Sequence, residues 1–375
     1  SPDTAVDVIV VPRANAAEAA LLGRRDVLVA DSLVQVWKWV TGEAELEPAS
    51  ALGPRQERVL PDFRDLAGMT AEREALEVAA AGGHHVMMIG PPGSGKSMLA
   101  ERLPSILPPM AVEEMVEVTA IHSAAGISGG EVVDSRPFIA PHPSLTRAAM
   151  IGGGGGIPTP GVVSHAHHGV LFLDEASEIQ AHVLDALRIP LEKREVRLTR
   201  FHREVVYPAD FQLVLAANPC ACQRIKGQCT CRSPQRAKHL SNVSGPLKDR
   251  LDLSITTSSE TAVLSPVGAE PSSAIAERVA AARERAAARW SRVGLDEAVN
   301  GRVPATVIRR QFPARESAMA LLESHLAEGT ITQRGVDKCL KLAWTLADLE
   351  RVDQPDIDHA YRAVEMRGNQ LQEVA

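Results

Sequence analysis

At 375 residues, 45% of them hydrophobic and 23% charged, the chain is long enough for two or three domains with sizeable cores. No run approaches the roughly 18 consecutive apolar residues of a membrane-spanning helix, and Ser1-Pro2-Asp3-Thr4 is neither basic nor followed by an apolar signal core, so a cytoplasmic location is the default expectation. A formal net charge of -7 excludes a generally basic surface that coats nucleic acid, so only local patches can serve that role.

In chain order, residues 1–47 read as strand (Val6 to Val11), helix (Asn15 to Leu22), strand (Val27 to Ala30) and helix (Ser32 to Val40), an α/β piece too short to close a sheet by itself. A strand this early implies the tail of a larger domain and a chain lacking an N-terminal part. Residues 48–60, with Pro48, Gly53 and Pro54, read as a linker. From 61 to 258 the order is helix (Ala71 to Ala80), strand (His85 to Ile89), a glycine-rich loop, helix (Lys96 to Leu107), a long irregular stretch, strand (Val170 to Leu173), helix (Ala181 to Ile189) and strand (Phe211 to Ala217). Strands that alternate with helices and lack polar alternation imply a parallel sheet covered on both faces. Two insertions interrupt this core. Ala120 to Pro160 is rich in Gly and Pro, and Glu195 to Tyr207 alternates apolar residues around a polar turn as a β-hairpin does. Residues 259–375 turn helical: Ser273 to Trp290, Ala314 to Leu326, Thr332 to Leu349 and Pro355 to Arg367 carry apolar residues at three-to-four spacing, with Thr332 and Asp353 as expected caps.

The loop Gly90-Pro91-Pro92-Gly93-Ser94-Gly95-Lys96-Ser97 sits between strand and helix, where backbone N–H groups and the positive helix end meet clustered phosphate charge. Lys96 is placed to reach the β and γ phosphates of ATP, and Ser97 to ligate Mg²⁺. Asp174 ends the strand Val170 to Leu173 as a magnesium carboxylate, direct or through water, and Glu175 beside it is the candidate base that polarises the attacking water. Asn218 ends the neighbouring strand, where its amide can orient that water; a turn-forming Asn before Pro219 is the plainer alternative. Arg250 is a candidate finger toward a neighbouring subunit's γ phosphate, against a plain surface Arg at a helix end.

Four of the five cysteines crowd into twelve residues. Cys220-Ala-Cys222 and Cys229-Thr-Cys231 form a loop (220–231) whose four thiolates suit structural Zn²⁺, with reduced free thiols as the alternative. Cys339 lies on an apolar helical pattern as buried filler. Seven Lys or Arg residues between Arg224 and Arg250 face one acid, Asp249, and the hairpin carries Arg197, Arg200, His202 and Arg203 near its turn with Phe201 at the tip, a pattern suited to DNA phosphates. A solvated basic hairpin is the alternative.

Taken together, Asp62 to Gly68, Ala79 to His85, Arg136-Pro-Phe-Ile-Ala-Pro-His142, Gly152 to Gly156, His168 to Glu175, Tyr207 to Leu213, Asn218 to Cys222 and Ser244 to Arg250 resemble the Mg-chelatase-like AAA+ ATPases, specifically the ComM or YifB group. The resemblance implies an AAA+ core, a C-terminal helical lid, and an N-terminal piece similar to the end of a Lon-protease-like, S5-type domain. It also implies a homohexameric ring that holds ATP between subunits, with Asn218 as sensor 1, Arg250 as the trans arginine finger and Arg334 as the sensor 2 arginine. For the ComM branch it implies a DNA helicase that drives branch migration on single-stranded or branched DNA. Pro143 stands where the group has a second His, and Ala176-Ser177 where it has Leu-Pro, which bears on the His pair and leaves the phosphate loop untouched. The competing reading is a chelatase-type ATPase subunit that remodels a protein partner; a Lon-type protease lacks a recognisable Ser–Lys dyad.

Overall fold

The computed structural model describes residues 8–21, 26–49, 60–128, 131–154, 158–200, 203–222, 229, 231–258 and 270–368. Near the N-terminus β1 (Ile9–Pro12) pairs in parallel with β2 (Val27–Ala30), and β3 (Glu47–Pro48) adds antiparallel to β2. That third strand falls at the start of the expected linker. Two residues carry no alternation signal, and Pro48, which has no N–H to give, is tolerated because the strand is an edge. Ser32 caps the helix Leu33–Val40 by accepting the Gln35 N–H. The expected strand start at Val6, helix end at Leu22 and linker residues 50–59 lie outside the described residues.

The central sheet is built from β4 (Val86–Ile89), β5 (Phe138–Ile139), β8 (Val170–Leu173), β11 (Gln212–Ala217) and β12 (Leu253–Thr256), all parallel, in the order β12-β4-β11-β8-β5. Two further pairs lie between them in the chain: β6 (Gly152–Gly153) with β7 (Thr159–Pro160), and β9 (Glu195–Arg200) with β10 (Arg203–Pro208). Every residue of β4, β8 and β11 is buried. Alternate side chains feed opposite layers: Val86 and Met88 join the core formed with the helix Thr70–Gly82, whereas Met87 and Ile89 join the one formed with Leu171, Leu173 and Val183. Because the strands are parallel, all start at one end of the sheet and finish at the other.

The stretch expected to be irregular after Leu107 contains the helix Val112–Ala124 and the edge strand β5. The helix lacks a capping side chain at Ala111, and Glu114 reaches back to the Ala111 N–H instead (2.9 Å). The expected helix from Lys96 to Leu107 is α-helical only through Arg102 and then tightens to a 3₁₀ turn, Leu103–Ile106, where Pro104 cannot donate to an α-helical ladder.

The helices Ser272–Ser291, Ala305–Gln311, Glu316–Ala327, Gln333–Glu350 and Ile357–Arg367 form the C-terminal region. Trp290, Phe312 and Trp344 meet edge-to-face in its core. Thr332 caps as expected, accepting the Gly335 N–H at 3.2 Å. The last helix is capped by Asp356, not Asp353: its carboxylate takes the Asp358 and His359 N–H groups, and Pro355 stays outside the first turn. The helical region docks on the core through buried polar contacts, with Phe63 N–H donating to Ser272 Oγ (2.8 Å) and the His84 ring bonded to Thr345 Oγ1 (2.8 Å). His84 precedes β4, so Gln333–Glu350 lies against the end of the sheet where strands start.

Candidate nucleotide site

Where the strands finish, β4 delivers Gly90, β8 delivers Asp174 and β11 delivers Asn218 to one place. Gly93 (φ +75°) and Gly95 (φ +81°) adopt the left-handed conformation that turns loop N–H groups inward. Gly90 is glycine for want of space: a Cβ there would lie 2.0 Å from Thr257 Oγ1 and 2.5 Å from Thr257 O. Thr257, just past β12, also bonds Ser94 Oγ at 2.6 Å, so the last strand buttresses the loop. Sequence reasoning missed Thr257, since a lone Thr in no motif gives no signal.

The Lys96 ammonium, at the start of the helix Lys96–Arg102, donates to Gly90 O (2.8 Å), Pro91 O (2.9 Å) and Asn218 Oδ1 (3.2 Å). Burial lowers its pKa, opposed by the nearby Asp174 and Glu175. Ser97 Oγ donates to Asp174 Oδ2 at 2.9 Å, and Asp174 Oδ1 accepts the Glu175 N–H at 2.8 Å. A hydroxyl and a carboxylate this close are hard oxygen donors of the kind Mg²⁺ takes alongside phosphate and water, so the residues fit the ion. Glu175 is exposed with φ +48°, an uncommon conformation for a side chain other than glycine, and it leaves the carboxylate free at the mouth of the site. Pro92 lies exposed on the loop.

The two arginines are elsewhere. Arg250 precedes β12, at the end where strands start; its guanidinium donates to Pro246 O (2.6 Å) and pairs with Glu192. Arg334 is largely exposed and lies 3.7 Å from Asp249, the residue before Arg250. The two therefore share one region, and neither bonds a phosphate-loop residue.

The cysteine cluster converges. Sγ of Cys220 lies 2.9 Å from that of Cys222 and 3.3 Å from that of Cys229, and Cys231 completes a set whose sulfurs all fall within 4.8 Å. Burial and the neighbouring thiols push Cys220 up to about 12, so without a cation this thiol stays protonated. Four sulfurs that meet at these distances are a donor set suited to zinc, whose charge would favour the thiolates. Residues 223–228 and 230 of the loop, Arg224 and Lys226 among them, lie outside the described residues.

The hairpin forms over the expected span, with Arg197 opposite Val206 and Arg200 opposite Arg203 beside the turn. Phe201 and His202 at the tip, and Gly155 and Gly156, lie outside the described residues. Arg197 is exposed and engaged by Glu195 (2.7 Å) and Glu204 (3.5 Å), so a phosphate would have to compete for it. Among the described residues no helix is long and apolar enough to cross a membrane.

Residues 62–263 match the family model described as magnesium chelatase, subunit ChlI, and residues 269–367 match the model of its C-terminal region. The chain is 44% identical over 363 residues to an uncharacterised protein of Mycobacterium tuberculosis, covering 96% of this chain and 72% of that one. It is 37% identical over 365 residues to YifB of Escherichia coli, covering 96% and 71%. With the competence protein ComM of Haemophilus influenzae the identity is 34% over 377 residues, covering 95% and 72%.

Proposed function

The chain belongs to the magnesium-chelatase-like family of AAA+ ATPases, of the ComM and YifB type, and from that premise we propose that it is a ring-forming ATP motor that moves branched or single-stranded DNA. One observation carries the ring: Lys96 and Arg250 belong to opposite ends of the same sheet. The four residues of β12, at about 3.3 Å each, put on the order of 13 Å of strand between their ends. A chain thus holds the phosphate loop at one end and a cation for phosphate at the other, which suits copies set head to tail.

In this reading the loop N–H groups and Lys96 bind the β and γ phosphates, and Lys96 leaves its carbonyl partners to do so. Mg²⁺ held by Ser97 and Asp174 would neutralise charge on the phosphates. Glu175 polarises water, and Asn218 orients it from the next strand. Arg250 of the neighbouring copy stabilises charge at the transferred phosphoryl group, with Arg334 beside it. Zn²⁺ on Cys220, Cys222, Cys229 and Cys231 would supply a staple to a loop that follows Asn218. For DNA, Arg197, Arg200 and Arg203 on the hairpin contact phosphates without reading bases.

ATPase rate measured with and without forked or four-way DNA, over a salt series, tests the DNA reading. Stimulation that fades as salt rises is expected. A rate that ignores DNA under all conditions would favour a motor that remodels a protein partner. Glu175→Gln is expected to bind ATP and lose turnover by about 10²-fold or more; normal turnover would remove Glu175 from its role. Fewer than about one zinc per several purified chains would remove the metal staple.

A further inference from the structure

At the end of the sheet where strands start, a cavity of about 270 Å³ opens between the core and the C-terminal helices. It is smaller than sites for drug-sized ligands, which begin near roughly 300 Å³. Four stretches singled out in the sequence each send a residue to its wall: His85, Arg136, Gly169 and Asp210. None of these four contacts the phosphate loop, so the nucleotide site does not account for their meeting here.

Asp252 and Glu192 also line this cavity, Asp252 paired with Lys338 (2.8 Å) and Glu192 with Arg250, yet two of the cations on its wall lack such a partner. Arg136 is paired with Glu114 (3.1 Å), Arg302 with Asp210 (2.7 Å) and Arg194 with Glu297 (2.8 Å). Arg283 and Lys341 also line it, and among the described residues neither has a carboxylate within ion-pair distance. Arg283 donates Nε and Nη2 to Ala80 O (3.0 and 2.6 Å), and Lys341 donates to Gly301 O (2.8 Å). Both partners are neutral carbonyls. Burial, with Arg136 and Arg302 facing it, pulls the Arg283 pKa down to about 9. His85 adds a donor: its Nδ1 accepts the Leu213 N–H (3.1 Å), so the proton of the neutral ring sits on Nε2. Two half-buried cations held only by neutral carbonyls, with the surrounding carboxylates already engaged by other cations, are costly in a confined space unless an anion joins them.

We propose that this cavity is a binding site for a small phosphate-class oxyanion, held by Arg283 and Lys341 and separate from the nucleotide loop. The close approach that forms the wall is built in: a Cβ at Gly301 would lie 2.8 Å from Gly82 O and 3.0 Å from Gly83 O. Glu192, the partner of Arg250, lines the same cavity, so one side chain of its wall is shared with the arginine offered to a neighbouring copy.

The test uses the full chain carrying Lys96→Ala and, in a parallel arm, the unaltered chain with ADP at saturating concentration, so that the nucleotide loop does not compete. Equilibrium dialysis with labelled inorganic phosphate and calorimetry with pyrophosphate are expected to find about one ion per chain in both arms. Lys341→Gln added to this background is expected to weaken binding about tenfold, and Arg283→Gln with Lys341→Gln to abolish it, as loss of one or two charge-assisted hydrogen bonds implies. Absence of binding in the Lys96→Ala chain, affinity unchanged by Lys341→Gln, or displacement of the ion by ADP would each overturn the site. If Arg283→Gln does not fold, as its circular dichroism melt would reveal, Lys341→Gln alone decides.

Discussion

The two ends of the central sheet are made of similar material and solve opposite problems. Where strands finish, the buried cation Lys96 is held within 3.2 Å of two carbonyls and an amide oxygen, and carboxylates stand nearby. Where strands start, arginines and lysines outnumber the acids that reach them, and two helices from the C-terminal region bring the excess. In the proposed reading the first end is a finished receptor whose groups already face one another. The second is a donor of charge, complete only when something anionic arrives.

Removing the receptor is expected to have the largest effect. Lys96→Ala should abolish measurable ATP turnover, read as phosphate release, because among the described residues no other side chain brings a cation into the loop. Arg250→Ala should leave nucleotide binding in place while lowering turnover about 10³-fold, the scale of an arginine finger. Mixing the two variants sharpens the contrast between the ends: if Arg250 serves a neighbouring copy, mixed rings regain activity that neither variant has alone. A mixture as inactive as its parts would return Arg250 to its own chain and remove the main support for a ring.

Two smaller effects probe what holds each end. Burial lowers the His85 pKa to about 4 from its ordinary 6.5. Between those values the unfolded chain takes up a proton that the folded chain refuses, so this contribution is fully present above pH 6.5 and is lost as pH falls toward 4, up to about 3 kcal/mol. Urea unfolding from pH 7.5 to 4.5 should show that slope, and His85→Gln should flatten it by about one proton's worth. At the other end, Thr257→Val leaves the buried Ser94 hydroxyl without its 2.6 Å partner. It should cost about 1–2 kcal/mol of stability and weaken ADP binding, measured by thermal melts with and without ADP.

The end where strands finish was largely legible in the sequence, because unbroken apolar runs such as Val170 to Leu173 lead straight into loop motifs. Asp174 beside Ser97, and Asn218 beside Lys96, follow from two parallel strands lying next to each other. The other end was not legible. Arg283 and Lys341 lie 58 positions apart on different helices, and periodicity places each on a helix without saying which cavity it meets. The strand β5 is two residues long, too short for a repeat, and the helix Val112–Ala124 begins without a capping side chain. Arg250 is a finger candidate from its own segment and Arg334 joins the nucleotide only by resemblance; their place in the fold puts both at the end of the sheet away from their own loop.

The short strand β12 has a consequence for timing. It begins three residues after Arg250 and ends one residue before Thr257, which touches Gly90 and Ser94. A displacement of the phosphate loop along that strand would be felt at the arginine and, in the proposed ring, by the next copy around. The reverse path would need the neighbour to push back through a side chain, a softer link than a hydrogen-bonded strand. Such a ring would have a built-in sense of succession, each copy cueing the one it reaches with Arg250.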